Sequence, residues 1–200
     1  MTNKLPRKLN FELSHGQAVW VLWHLFDGGP ISPAFENYVK YLRRRGIPFG
    51  PDEIGKGRGV HVQYRYEHVM ELALALVLRT QGVLKEDAVK LLSGVRGELR
   101  PLFVKAWKLR ESKIGEPIEV VIDGEKRQIH GLWLDLHLHY VNWNLMGLGP
   151  IKLLGPTQAA ETMLAKGRQL MFRDPIRISD IAEKVANLAP KVPEIKRGPS

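Results

Sequence analysis

Three polar residues in the second half of the chain, Asp135, His137 and His139, have types and a spacing that could bind a metal ion. In an extended strand every second side chain lies on the same face, so two imidazoles and a carboxylate would meet there as ligands for zinc or another divalent cation. Four leucines alternate with them and predict a core-facing side: Leu132, Leu134, Leu136 and Leu138. We therefore interpret the polar side as the solvent face of an amphipathic strand, with metal-dependent catalysis as the alternative, and expect neither a cofactor nor enzymatic activity.

The basic residues of the first half indicate a second kind of chemistry, the binding of a polyanion. Arg43, Arg44 and Arg45 end a predicted helix, and Lys56 and Arg58 lie among glycines shortly after it. Cations on two neighbouring elements can contact successive phosphates of a nucleic acid and release its counterions. Lys56 and Arg58 would also suit a loop that cradles a nucleotide phosphate, but the sequence lacks the Gly-Lys-Ser/Thr signature of such a loop.

The charge of the chain is concentrated in its first half. Lys and Arg outnumber Asp and Glu by 30 to 21, and of the formal net charge of +9, +8 lies before residue 114. Such basicity suits a nucleic acid or an anionic surface as partner. The absence of cysteine excludes disulfides and thiolate metal sites and suits a cytoplasmic protein. The most apolar stretch, Ala18 to Phe26, is shorter than the roughly 20 residues of a membrane span, so no membrane contact is expected.

Two helices must position the arginines. Gly16 to Phe26 is apolar nearly all round, as expected of a helix that is buried on most sides. In the second helix Ser32 can act as cap, Pro33 suits the first position and Gly46 suits the end, next to cations that the helix dipole favours. The apolar face of this second helix follows helical spacing: Phe35, Tyr38, Val39 and Leu42.

The segment after the second helix predicts a basic hairpin followed by two helices. Residues 50–59 are rich in glycine and suit a mobile tip, and Val60 to Tyr64 alternates as a short strand leaving it. Apolar periodicity predicts helices over Tyr66–Thr80 and Lys85–Leu92. This order of elements is that of a winged helix, in which the second helix enters a major groove and the hairpin lies along the backbone.

Three segments between residues 32 and 92 carry a more specific pattern. Lys40-Tyr41-Leu42-Arg43-Arg44-Arg45-Gly46-Ile47-Pro48 ends the second helix, and Gly59-Val60-His61-Val62-Gln63-Tyr64-Arg65-Tyr66 ends the hairpin. Residues 67–92 form the helix pair, with Gly82 between its helices. Together these segments resemble the DNA-binding part of MerR-type regulators.

The resemblance implies that Lys40 and Tyr41 lie near the DNA backbone or base edges, and that Arg58 and Arg65 contact phosphate. With the cations of the helix and the hairpin, the predicted DNA-binding residues are Ser32, Asn37, Lys40, Tyr41, Arg43, Arg44, Arg45, Lys56, Arg58 and Arg65. A long dimerising helix is not expected after residue 92, because Gly94, Gly97 and Pro101 interrupt its start.

The second half of the chain predicts β structure and then helices. Asp123-Gly124 is a strong signal for a hairpin turn between residues 119–122 and 126–129. The alternating leucines form the next strand, and helices follow over residues 156–171 and 179–188, the latter with Ser179 as its cap.

We therefore predict an α+β protein with an N-terminal winged helix and a C-terminal half of hairpin, strand and helices. The expected divisions are a winged-helix module over residues 1–95, a connecting helix over 96–113, an α+β dimerisation or effector region over 114–190 and a disordered tail over 191–200. The expected function is sequence-specific binding of double-stranded DNA in transcriptional regulation, as a homodimer, with a small molecule or a protein as a possible effector of the C-terminal half. The alternatives are a protein-interaction adaptor built on a winged helix and the metal-dependent enzyme.

Overall fold

The computed structural model describes residues 11–26, 29–50, 53, 62–109, 117–122, 124–141, 144–166 and 175–194. It divides into two compact units, the first comprising residues 1–94 and 184–200 and the second residues 95–183. Within the described residues the fold is α+β, as predicted, with six α-helices and two antiparallel sheets of two strands each.

The helices are α1 (His15–Phe26), α2 (Pro33–Arg44), α3 (Tyr66–Thr80), α4 (Lys85–Leu109), α5 (Pro156–Lys166) and α6 (Ile178–Leu188). The strands are β1 (Ile118–Ile122), β2 (Glu125–Ile129), β3 (Trp133–Val141) and β4 (Asn144–Leu154). The bounds predicted for α1, α2 and α3 are confirmed to within one residue, because each of these helices is delimited by local signals in the sequence.

The core of the first unit forms where α1 packs against α2 and α3. The buried residues of α1 are Ala18, Val19, Val21, Leu22 and Leu25, so most of its circumference is covered, as its apolar sequence predicts. α3 is buried over nearly all of its length. α2 instead buries Val39 and Leu42 and leaves its opposite side in solvent.

The C-terminus of α2 is fixed by a Schellman motif. The N–H of Gly46 donates to the carbonyl oxygen of Arg43 (3.1 Å), and the N–H of Ile47 donates to that of Leu42 (3.0 Å). Gly46 has a φ of +88°, a backbone conformation that residues with a Cβ rarely adopt, and this explains the glycine there. The directions of the last side chains of α2 are therefore set by the backbone.

In the described part of the strand predicted before α3, residues 62–64, the structure has a single bridge. Tyr64 pairs with Leu13, the N–H of each donating to the carbonyl oxygen of the other at 2.8 and 2.9 Å. Most of the predicted hairpin, residues 51–52 and 54–61, lies outside the described residues. The wing therefore stays a prediction.

Helix α4 corrects the prediction of two helices separated by a hinge at residues 93–97. It is one helix of 25 residues that continues through Gly94, Gly97 and Pro101. Glycine costs about 1 kcal/mol and proline about 3 kcal/mol inside a helix, so local preference opposes this arrangement. The burial of apolar side chains before and after these residues outweighs that preference: Leu92, Leu99, Phe103 and Trp107 have no exposed surface.

The second unit contains the predicted hairpin and a second strand pair. β1 and β2 pair in register from Ile118↔Ile129 to Ile122↔Glu125, and Gly124 in the turn has φ +81°. α5 covers one side of this hairpin and contacts β4, closing a small core: Ile129, Leu154, Ala159, Ala160 and Met163. Leu132, Leu134 and Leu136 are buried, as predicted, but Asp135, which was predicted on the solvent face between them, is buried as well.

Strand β4 was not predicted. It pairs with β3, and the register slips twice: between Leu136 and Leu138, where the partners are Ile151 and Leu148, and between His139 and Tyr140. At the first slip β4 has two residues, Gly149 and Pro150, between Leu148 and Ile151, one more than β3 has between Leu136 and Leu138. This extra residue makes a bulge, and proline is tolerated at a bulge in a two-stranded sheet.

Ser179 is not the cap of the last helix. α6 begins one residue earlier, at Ile178, and Ser179 is buried inside its first turn. Its Oγ accepts a hydrogen bond from the N–H of Leu132 at 3.0 Å. A Cβ at position 131 would lie 2.5 Å from this Oγ, which explains why the residue there is glycine. The serine therefore joins α6 to the start of β3.

Candidate nucleic-acid interface

The exposed side of α2 is the feature that most resembles a binding surface. Successive residues of a helix are about 100° apart, so positions opposite the buried Val39 and Leu42 form one stripe along the helix. This stripe contains Pro33, Asn37, Lys40, Tyr41 and Arg44. We call these five residues the α2 stripe. Asn37 and Arg44 in it are exposed, and neither has a hydrogen-bond or ion-pair partner among the described residues.

The three consecutive arginines point in three directions. Arg43 is half-buried on the side of α1, where its positive charge adds to the lowering of the pKa of His15 by burial and opposes the rise that burial causes in the pKa of Tyr64. Arg44 is exposed at the end of the α2 stripe. Arg45, the C-cap residue, lies with its guanidinium 5.6 Å from the ring centre of Tyr41. The triplet was predicted as one basic cluster; only Arg44 belongs to the stripe.

Lys40 is held by an acidic residue one turn earlier. Its Nζ lies 2.7 Å from Oε1 of Glu36, and both side chains remain two-fifths exposed. The hydrogen bond from Lys40 lowers the pKa of Glu36, so this carboxylate stays ionised under all ordinary conditions. The ammonium group of Lys40 is thus already neutralised within the protein.

Tyr38 and Tyr41 form a small aromatic surface surrounded by cations. Their rings stack at 6.2 Å with an interplanar angle of 11°. The guanidinium of Arg79 lies 4.4 Å from the ring centre of Tyr38, and Nζ of Lys85 lies 4.9 Å from that of Tyr41. Burial raises the pKa of Tyr38, although the charge of Arg79 opposes the rise.

One carboxylate lies among these cations. The hydroxyl of Tyr41 donates to Oε1 of Glu86 at 3.4 Å, and the same oxygen lies 3.7 Å from Nζ of Lys85. The sequence prediction missed Arg79, Lys85 and Glu86. No signal in the sequence could have identified them, since periodicity places them on helices but does not show which helix faces meet.

A partly buried pair joins α1 to the segment just before α3. Nδ1 of His15 and the hydroxyl of Tyr64 share a hydrogen bond of 3.0 Å. Burial lowers the pKa of His15, and the charges of Arg43 and Lys40 lower it further, with Glu36 acting in the opposite sense. Burial raises the pKa of Tyr64 to about 12. Both groups are therefore neutral near pH 7.

The remaining predicted DNA-binding residues have different environments. Arg65 is exposed just before α3, and its Nε lies 3.6 Å from Oε1 of Glu12. Ser32 occupies the N-cap position of α2 but makes no side-chain cap hydrogen bond. Lys56 and Arg58 lie outside the described residues. The structure thus brings together α2, the end of α3 and the start of α4, and leaves the hairpin cations untested.

The alternative metal site on β3 gains no support from the residues that can be described. Asp135, predicted on the solvent face, has an exposed fraction of only 8% and pairs in register with Lys152. The side chains of His137 and His139 lie outside the described part of the strand. Among the described residues no three His, Cys, Asp or Glu side chains come together as ligands.

Comparison with family models, with curated proteins and with solved structures gave no match to this chain. Among the helices that the structure describes, none has the length and apolar character needed to cross a membrane. The geometry of the site is therefore the basis for a functional proposal.

Proposed function

We propose that the protein binds double-stranded DNA through the α2 stripe and acts as a sequence-specific transcriptional regulator. The observation that supports this most is the exposed pair Asn37 and Arg44, which lie two turns apart on one face with no partner among the described residues. A polar side chain on a helix surface that has no internal partner is free to form hydrogen bonds with another molecule.

The dimensions and chemistry of α2 suit a major groove. Its 12 residues span about 18 Å, and the groove, about 12 Å wide, admits one α-helix. An asparagine amide can form two hydrogen bonds with adenine, and a guanidinium can form two with guanine. Asn37 and Arg44 are thus proposed to read bases, while Lys40, Tyr41 and Arg65 contact the backbone.

The concentration of positive charge in the first half and the resemblance of residues 32–92 to MerR-type regulators support the same proposal. We extend it to a winged-helix arrangement in which Lys56 and Arg58 contact phosphate from the hairpin. Because one short helix provides few base contacts, we further propose that the protein binds as a homodimer, and that the second unit serves self-association or an effector.

The proposal is tested by selecting binding sites from a random double-stranded library with the full-length protein and measuring affinity for the selected duplex by fluorescence anisotropy. Arg44→Ala is expected to weaken binding about 5- to 100-fold, the range for loss of one bidentate base contact. Asn37→Ala should weaken it by a similar factor and relax the preference at one base pair.

Lys105→Ala is the matched control, because it removes an exposed cation from the other end of α4, 20 residues after Lys85. Its affinity should stay within about 2-fold of wild type. If selection yields no preferred duplex, or if Arg44→Ala and Lys105→Ala bind alike, the proposed role of α2 is wrong. Where a preferred duplex is selected, sedimentation of its complex with the protein gives the number of chains bound and so tests the proposed homodimer.

A further inference from the structure

Three cations of the first unit, on α2, just before α3 and at the start of α4, are each held by a carboxylate of the protein itself. Lys40 is held by Glu36, Arg65 by Glu12, and Lys85 together with Tyr41 by Glu86. These three carboxylates come from three different elements: α2, the segment before α1, and α4. Arg44, at the end of the stripe, has no such partner among the described residues.

All three acidic residues are exposed enough for an incoming anion to reach the same cation. The side-chain exposures are 42% for Glu36, 53% for Glu12 and 62% for Glu86. Ion pairs of this kind contribute only about 0–1 kcal/mol, so a phosphate can replace the carboxylate at little cost. The displaced carboxylate nevertheless stays close by, because it is attached to the same surface.

From this geometry, and resting on the proposed function, we propose that Glu12, Glu36 and Glu86 are internal competitors of DNA phosphate that limit affinity for any duplex. Each one occupies a cation in the free protein and must be displaced from it before a phosphate can bind there. Phosphate contacts carry no sequence information, so the effect is a uniform reduction in affinity, with base reading left to Asn37 and Arg44.

Competition also predicts the salt dependence. A cation that is already paired with a carboxylate neutralises phosphate less effectively, since the released carboxylate must then be screened by cations from solution. Fewer net ions are released on binding, and the plot of log affinity against log salt becomes less steep. Removing one carboxylate should therefore raise affinity most at low salt and steepen the plot by up to about one unit.

The test measures anisotropy with one selected duplex, on wild type and on Glu12→Gln, Glu36→Gln and Glu86→Gln. Glutamine keeps the size of the side chain and removes its charge. Each variant is expected to bind about 2- to 5-fold more tightly at low salt, the range for an exposed ion pair of about 0.5–1 kcal/mol that no longer has to be broken. Glu98→Gln is the control: it removes an exposed charge from α4 that has no partner among the described residues, and should change affinity by less than about 2-fold.

A double-mutant cycle separates competition from a general change in net charge. If Glu36 acts by occupying Lys40, the gain from Glu36→Gln should disappear in the background of Lys40→Ala; a net-charge effect would persist there. Gains that persist, or glutamine variants that bind no better than wild type, would overturn the competition. A wild type that binds duplex without dependence on Arg44 would instead overturn the proposed function.

Discussion

Two exposed, charged surfaces of this protein, the α2 stripe and the β1–β2 hairpin, differ in how their charges are balanced. On the hairpin, Lys126 lies 2.9 Å from Glu119 across the strands, and Arg127 lies 3.5 Å from Glu125. Every described cation of that hairpin therefore has a carboxylate beside it. On the α2 stripe, Lys40 is paired with Glu36, whereas Arg44 has no carboxylate partner among the described residues.

The difference shows why exposure and charge alone do not identify an interface. Paired surface charges on a hairpin are a common way to keep a sheet edge soluble, and they leave no net attraction for a polyanion. A cation on a helix face that has no carboxylate beside it, such as Arg44, keeps that attraction. The α2 stripe has, in addition, the exposed amide of Asn37. The one amide side chain among the described residues of the hairpin is that of Gln128, and it donates a hydrogen bond to Glu119.

The largest expected effect comes from loosening the attachment of α2. Leu42→Ala removes a side chain with no exposed surface, and such a truncation lowers the free energy of unfolding by about 2–5 kcal/mol. Val121→Ala on the hairpin, where the side chain is 57% exposed, should change it by about 0.5 kcal/mol or less. Urea unfolding of both variants measures the contrast, and equal losses would show that α2 is not anchored through Leu42.

A smaller effect distinguishes two glycines with the same backbone conformation. Gly46 ends α2 with φ +88°, and Gly124 lies in the hairpin turn with φ +81°. Alanine at either position should cost about 1–2 kcal/mol, because a Cβ disfavours positive φ. Gly46→Ala should also weaken duplex binding, since the Schellman motif sets the direction of Arg44, whereas Gly124→Ala should bind normally. Thermal unfolding and anisotropy on both variants test this, and equal binding by the two would separate the motif from the interface.

The sequence predicts the parts of this fold that local signals control. Pro33 and Gly46 delimit α2, and Asp123-Gly124 defines the hairpin, because each needs only its own backbone conformation. The continuous α4 could not be predicted, since the burial of Phe103 and Trp107 comes from residues distant in sequence and outweighs the local cost of Pro101. Strand β4 was missed for the same reason: its glycines and Pro150 oppose a strand unless a partner is in place.

The same distinction applies to the candidate site. The divergence of Arg43, Arg44 and Arg45 follows from 100° per residue and was available from the sequence, as was the pairing of Glu36 with Lys40 four residues apart. The pairing of Glu12 with Arg65 and of Glu86 with Tyr41 depends on packing between elements. No rule of sequence spacing connects residues that are 45 or more positions apart.

The smallest expected effect concerns pH and the side of α2 that faces α1. Burial, together with Arg43 and Lys40, holds the pKa of His15 below its ordinary value, so the unfolded chain takes up a proton before the folded protein does. The contribution of His15 to the free energy of unfolding is therefore expected to be fully present above about pH 6.5. It should be lost as the pH decreases through about 6.5 toward the lower pKa of the folded state. His15→Gln removes this titration, and urea unfolding at pH 7.5 and at pH 5 should show a smaller difference than in wild type. His130→Gln, at an exposed position of the second unit, should keep the wild-type difference. If His15→Gln retains the full loss at pH 5, His15 does not link proton uptake to the packing of α2 on α1.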